Sequence, residues 1–392
     1  LEVRLNHFRQ SFDEDPSFLP QLIQTHLLDN QSRVHFEMQA SDLYEQQLKD
    51  AEQGRIDAAI AALQEQDKLR LVAEAKALQD EQDTIQDVSI LPTVTLQDVP
   101  STGLYTPSHV EQGVEGMESY HRVETATNGV VYATWKMDIS SLPLELKPYA
   151  PLWASLLGQC DAGSLSHQEV HEALETCCGG LHGNASVSIS PFDGNSFSET
   201  LNISTYLLPS KCEQAFSLLN MILRETHFNA VVRTPLQQML ASSINGIAQS
   251  GHVYARAAAA AHQSPGAAAS EQWSGLSYIR HLSQSAQPEG FEELLIKLSQ
   301  ITRCLTESSL PMRCMFVSDS DGLATADRAL PLFLRELPPG GGGIFTEQSQ
   351  YGGLSEENHP PLQYIDQGFP VSYVGQAFQG VAYTSPDFAP LQ

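Results

Sequence analysis

The stretch with the strongest chemical suggestion is His167-Gln168-Glu169-Val170-His171-Glu172. Two histidines four apart share one face of a helix, and zinc hydrolases grip their metal with that spacing. Those enzymes place a glutamate directly after the first histidine or directly before the second, where it acts on the metal-bound water. Here Glu169 takes the middle position, about 200° around the helix from His167, and points away from any shared metal. His171-Glu172-Ala173-Leu174-Glu175 in turn carries Glu175 where a second histidine would be needed. The reading is a surface or partly buried helix with no metal ligand and no catalytic residue.

Cys177-Cys178-Gly179-Gly180 is the next candidate, but adjacent cysteines rarely ligate one zinc and no second pair completes four ligands. A helix end closed by Gly179, with both thiols buried, is expected there. No Gly-x-Ser-x-Gly elbow occurs. Gly340 to Gly343 follow Pro338-Pro339 and lack the Lys-Ser or Lys-Thr of a phosphate loop, so they read as linker. Residue chemistry alone therefore leaves no self-sufficient active site.

The 392 residues carry 21 Lys plus Arg against 47 Asp plus Glu, a net charge of −26. Nucleic acid is excluded as a partner, because phosphates need a clustered basic surface. The acidity serves solubility or, alternatively, the attraction of positively charged ligands. At 41 % hydrophobic and 17 % charged, the composition is that of globular protein. No run approaches the ~18 uncharged apolar residues of a membrane span, so no membrane partner is expected. Six cysteines without a Cys-x-x-Cys pair favour a reducing compartment. Leu1-Glu2-Val3-Arg4-Leu5 already reads as helix interior, and the chain ends soon after a new strand begins. A segment of a longer polypeptide is expected.

Asp15-Pro16 opens a helix through Leu19, Ile23 and Leu27, and Val34, Phe36 and Met38 then alternate as a half-buried strand. From Leu43 to Asp83 the Ala-, Gln- and Glu-rich sequence gives two antiparallel helices, the alternative being one long solvated helix. A proline-bearing linker runs from Leu91 to Pro107. Beyond it, Ala133, Trp135, Met137 and Ile139 alternate as a strand, and Ala185 to Ile189 pairs with Leu201 to Thr205 as a hairpin. Helices fit at about 148–159, 167–177, 212–226, 235–262, 288–303 and 323–337, with a strand at 313–317 and another from Val371 to Phe378. Strands paired by hairpins and helices in runs give an α+β fold with a largely antiparallel sheet packed against helices.

Several stretches resemble one family, the presequence proteases, a subfamily of the pitrilysin and insulin-degrading zinc metallopeptidases. They are Leu91-Pro92 with Asp98-Val99-Pro100, Thr127-Asn128-Gly129-Val130-Val131-Tyr132, and Leu142-Pro143-Leu144-Glu145-Leu146-Lys147-Pro148-Tyr149-Ala150-Pro151-Leu152. Farther on come Asn245 to Ala255, Trp273-Ser274-Gly275-Leu276, Met312-Arg313-Cys314 and Phe369-Pro370-Val371-Ser372-Tyr373-Val374-Gly375. They stand in the family's order across nearly the whole chain.

The resemblance implies an enzyme of four homologous α+β domains in two halves that close around a peptide-holding chamber. On that mapping 1–43 is the end of an upstream α+β domain, 44–85 a helical hairpin linker and 92–337 a zinc-free pitrilysin-like α+β domain. Residues 338–359 are a Pro/Gly linker and 360–392 the start of a truncated final α+β domain. The family's zinc motif would precede Leu1, and its substrate-holding arginine and tyrosine would follow Gln392. No catalytic or metal-ligating residue is therefore carried over to this chain, and its substrate-binding residues stay unassigned. Zinc would be bound outside this segment, and the missing N-terminal half of the polypeptide is an implied partner. The implied parent is a zinc metalloendopeptidase of the mitochondrial matrix, or of plastids, acting on targeting presequences and other short unstructured peptides. Such peptides are basic, which the −26 charge suits. The alternative is a non-enzymatic peptide-binding or scaffold remnant of the same family.

Overall fold

The computed structural model describes residues 2–84, 89, 91–103, 105–112, 117–192, 196–338, 371–378 and 380–391. Two compact units are present, Leu1–Ser101 and Thr102–Gln392.

The first unit is helical. Helix α1 spans Glu2–Glu14, and α2, Phe18–Ile23, continues into a wider π-helical turn at Gln24–Leu28. The Asp15 carboxylate accepts from the Ser17 backbone N–H at 2.9 Å and marks the turn between them. Helices α3, Tyr44–Ala62, and α4, Glu65–Asp83, are separate because Leu63 adopts an extended conformation. Gln64 and Asp67 then form a capping box that starts α4. The expected strand at Val34 to Met38 does not form: 33–40 has no regular structure, and Val34 is 94 % exposed. Alternation fits a strand only when a neighbour completes its hydrogen bonds, and none of the described residues supplies one.

The second unit is built on a six-stranded sheet. Its strands are β1 His109–Gln112, β2 Ser119–Glu124, β3 Val131–Asp138, β5 Leu181–Ile189, β6 Phe197–Leu207 and β8 Met312–Ser318, in the order β1-β2-β8-β3-β6-β5. A two-stranded ribbon joins β4, Asp161–Ala162, to β7, Thr226–His227. The β2–β8 pairing is parallel and the other pairings of the large sheet are antiparallel. The expected hairpin forms with Ala185 opposite Leu201 and Val187 opposite Glu199. Asn128 and Gly129, both at positive φ of 54° and 77°, turn the chain into β3, a conformation that asparagine and glycine adopt most readily.

Period-two burial along β3 explains which face is covered. Val131, Ala133, Trp135 and Met137 face the core, while Tyr132 on the opposite face stays exposed beside Tyr206 and Met315. The helices of this unit are α5 Ala150–Ser155, α6 His167–Cys177, α7 Cys212–Glu225, α8 Arg233–Ala260, α9 Pro265–Ser274, α10 Leu276–Ser285, α11 Pro288–Glu307, α12 Ser320–Leu334 and α13 Phe388–Leu391. Trp135 stacks on Phe333 of α12 at 4.2 Å between centroids and meets Phe216 of α7 edge-on at 5.1 Å. Trp153 of α5 donates its indole N–H to Thr302 of α11 at 2.9 Å.

The spacing overlooked α9, α10, β1 and β2. Serine, glycine and alanine dilute the apolar period of α9, whereas Ser264 and Pro265 supply a cap and a first-turn proline that start it. Residues 371–378 are also corrected: they run extended along α8 but pair with no strand among the described residues. Of the expected linker at 338–359, all but Pro338 lies outside the described residues, as does 360–370.

Candidate functional site

Helix α6 begins where the two histidines fall, and partners close at hand occupy His167, Glu169 and His171. Ser166 accepts from the Glu169 N–H while the Glu169 carboxylate accepts from the Ser166 N–H at 2.9 Å, a reciprocal cap. That hydrogen bond and the Ser166 hydroxyl hold Glu169 below the usual carboxylate range. His167 leans toward Asp161 at 3.4 Å, and His171 toward Glu175 at 3.3 Å in solvent. The two imidazoles are thus turned to different carboxylates. Asn229 donates to Asp161 at 2.7 Å, as does the His167 N–H, and these bonds hold the Asp161 carboxyl below its ordinary value. Among the described residues no group of three or more His, Cys, Asp and Glu side chains could hold a metal ion. Glu169, the glutamate between the two histidines, is committed to the cap.

The two adjacent cysteines part company at the end of α6. Cys177 is buried in the core and pushed well above the usual thiol range, first by its neighbour Cys178 and then by burial. Cys178 is half-buried at the helix end, with its N–H donating to Leu174, and it is lowered chiefly by the hydrogen bond with Cys177. Gly179 follows the helix end as expected, without a positive φ. A Cβ there would lie 1.9 Å from the Tyr206 ring, so glycine is required by close approach.

Other buried polar groups escaped sequence reasoning. Lys147 and Glu199 form an ion pair with both side chains 1 % exposed, at the junction of α5 and the sheet. Tyr120 donates to Asp327 of α12, which also pairs with Arg122 at 2.9 Å. Lys147 sits inside the Leu142 to Leu152 motif, but nothing local to a lysine announces a carboxylate partner 52 residues away. A shallow depression on α11 holds Phe228, Glu292, Ile296, Ser299 and Arg303. Ser299 donates to the Leu295 carbonyl, and no histidine lines the depression to activate it.

Charge is unevenly spread over the second unit. Exposed carboxylates gather on helices, including Glu172 and Glu175 of α6 and Glu289, Glu292 and Glu307 of α11. The uncovered sheet face instead carries Lys136 opposite Arg313, whose guanidinium holds Glu118 through two bonds at 2.9 and 3.0 Å. No described helix is long and apolar enough to cross a membrane.

The family model described as associated with peptidases of family M16, subfamily C, matches residues 38–284, more than half of the chain. The chain belongs to that family. A relative from Danio rerio named "Presequence protease, mitochondrial" is 25 % identical over 99 % of this chain and 40 % of its own length. A protein of the same name from Saccharomyces cerevisiae is 30 % identical over 91 % of this chain and 36 % of its own. The chain thus spans well under half the length of these relatives. A solved structure titled as a peptidase M16 inactive domain from Pseudomonas fluorescens overlaps 62 % of the chain and 53 % of its own, at 11 % identity and a TM-score of 0.39. The family expected from the motifs is the one found.

Proposed function

We propose that this chain is a non-catalytic part of a zinc metalloendopeptidase that degrades mitochondrial targeting presequences and other short unstructured peptides in the matrix. The observation that carries this reading is collinear similarity over 99 % of the chain to a protein named mitochondrial presequence protease, of which the chain spans 40 %. In this reading 44–85 is a helical hairpin joining two halves, 92–337 a zinc-free domain walling a peptide chamber, and 360–392 the start of a final domain. The commitment of Glu169 to a helix cap supports a domain without zinc, whose metal is held by the rest of the polypeptide. The net charge of −26 supports attraction of basic peptides, with helices α6 and α11 as the acidic surfaces.

The experiment is fluorescence anisotropy of a labelled Arg-rich presequence peptide titrated with the 392-residue chain. Binding that weakens steeply between low and physiological salt, and that an acidic peptide of equal length lacks, is expected. Equal affinity for both peptides, or binding indifferent to salt, would contradict an electrostatic chamber wall.

A further inference from the structure

Two of the sequence motifs, far apart in the chain, meet in space, and neither has a part in the chemistry considered above. Helix α8 leaves helical geometry at Ser250, where φ is −132° and ψ is 31°. Serine–glycine pairs tolerate such a break, and here Gly251 follows at once. The ring of Tyr373 fills the space beside it: a Cβ on Gly251 would lie 2.2 Å from a Tyr373 ring carbon. One turn farther on, the backbone of Gly375 lies against that of α8, so that a Cβ there would stand 2.4 Å from the Ala255 carbonyl oxygen. Gln263 then donates to the Ala377 carbonyl at 3.4 Å. Tyr373, Gly375 and Ala377 are half-buried toward the helix, while Val374 between them is 92 % exposed. Neither Gly251 nor Gly375 has positive φ, so close approach is what each glycine provides.

We propose that residues 371–378 act as a clasp that sets the bend of α8, with Tyr373 as the wedge at Ser250 and the two glycines as its seats. A pull on 371–378 would then be felt at the middle of α8, which makes the helix break a hinge under the control of the segment that follows 370. This holds whatever peptide the complete polypeptide acts on.

Hydrogen–deuterium exchange of the 392-residue chain tests the clasp, comparing wild type with Tyr373→Ala, Tyr373→Phe, Gly251→Ala and the Gly251→Ala/Tyr373→Ala double variant. Exchange in 247–254 is expected to rise about tenfold in Tyr373→Ala and to stay at the wild-type level in Tyr373→Phe, which keeps the ring. Gly251→Ala is expected to expose 371–378 to a similar degree, and the double variant to exchange no faster than either single one. Should Gly251→Ala unfold by circular dichroism, the two Tyr373 variants decide alone. Wild-type exchange in 247–254 for Tyr373→Ala, or additive effects in the double variant, would overturn the proposal and leave the Ser250-Gly251 pair as sole cause of the bend.

Discussion

At the scale of single residues, the polar groups that look most chemical from spacing are the ones already occupied. The reciprocal Ser166–Glu169 cap predicts that Ser166→Ala or Glu169→Ala destabilises the second unit by about 1 kcal/mol in urea unfolding, the usual worth of a cap. Neither variant should change zinc content, whereas a metal-site glutamate would. Asp161 is held below its ordinary value of 3.8, chiefly by Asn229. A carboxyl whose pKa is lower in the folded state stabilises it above the unfolded value, and the contribution disappears as pH falls through the folded one. Asp161→Asn should therefore flatten the stability profile below about pH 4 and leave its shape near neutrality unchanged. Lys147 and Glu199 give a sharper test. Glu199→Gln removes the negative charge from this buried pair, at a cost of about 3–5 kcal/mol, and Lys147→Met combined with Glu199→Leu should recover much of it. A double variant as unstable as the single one would show that the pair supports the fold by more than charge balance. Among the cysteines, Cys178 combines partial exposure with a lowered pKa, while Cys160, Cys212 and Cys314 are buried and raised. Mass spectrometry after brief iodoacetamide treatment at neutral pH should find Cys178 modified before those three.

Among the elements, α6 and the β5–β6 hairpin were the most legible. Helix α6 runs from His167 to Cys177, the bounds its spacing gives, because Ser166 and Glu169 write the start into the sequence and Cys177 ends the apolar stripe. The β5–β6 hairpin was equally plain, since β6 buries Phe197, Leu201 and Ile203 on one face and β5 keeps the paired residues Ala185 and Val187 half-buried. Helices α9 and α10 were missed where Gly275, not a polar loop, separates them. The alternating runs at 33–38 and 371–378 misled for the opposite reason. Both have a strand's pattern, but a strand exists only in a ladder, and the second run lies on a helix instead. Gly179, Gly251 and Gly375 have neighbours that do not say what each glycine meets. Their purpose is a ring or a backbone from a distant segment pressed against the Cα, which no local reading contains. Replacing Gly179 by alanine should therefore cost more stability than the same change at Gly54, whose surroundings are open; comparison of the two melting temperatures checks this.

For the molecule as a whole, the second unit is a sheet with one face packed by helices and the other uncovered, and the first unit is a set of helices whose apolar residues stay exposed. Membership of the peptidase-associated family and the 40 % span against a relative are what the proposed function rests on. The central claim is that the part has no catalysis of its own, the zinc chemistry residing elsewhere in the polypeptide. The direct measurement is cleavage of a presequence peptide by the pure 392-residue chain, supplied with zinc and followed by mass spectrometry with and without a chelator. Intact peptide under both conditions is predicted. Turnover that the chelator abolishes would contradict the account.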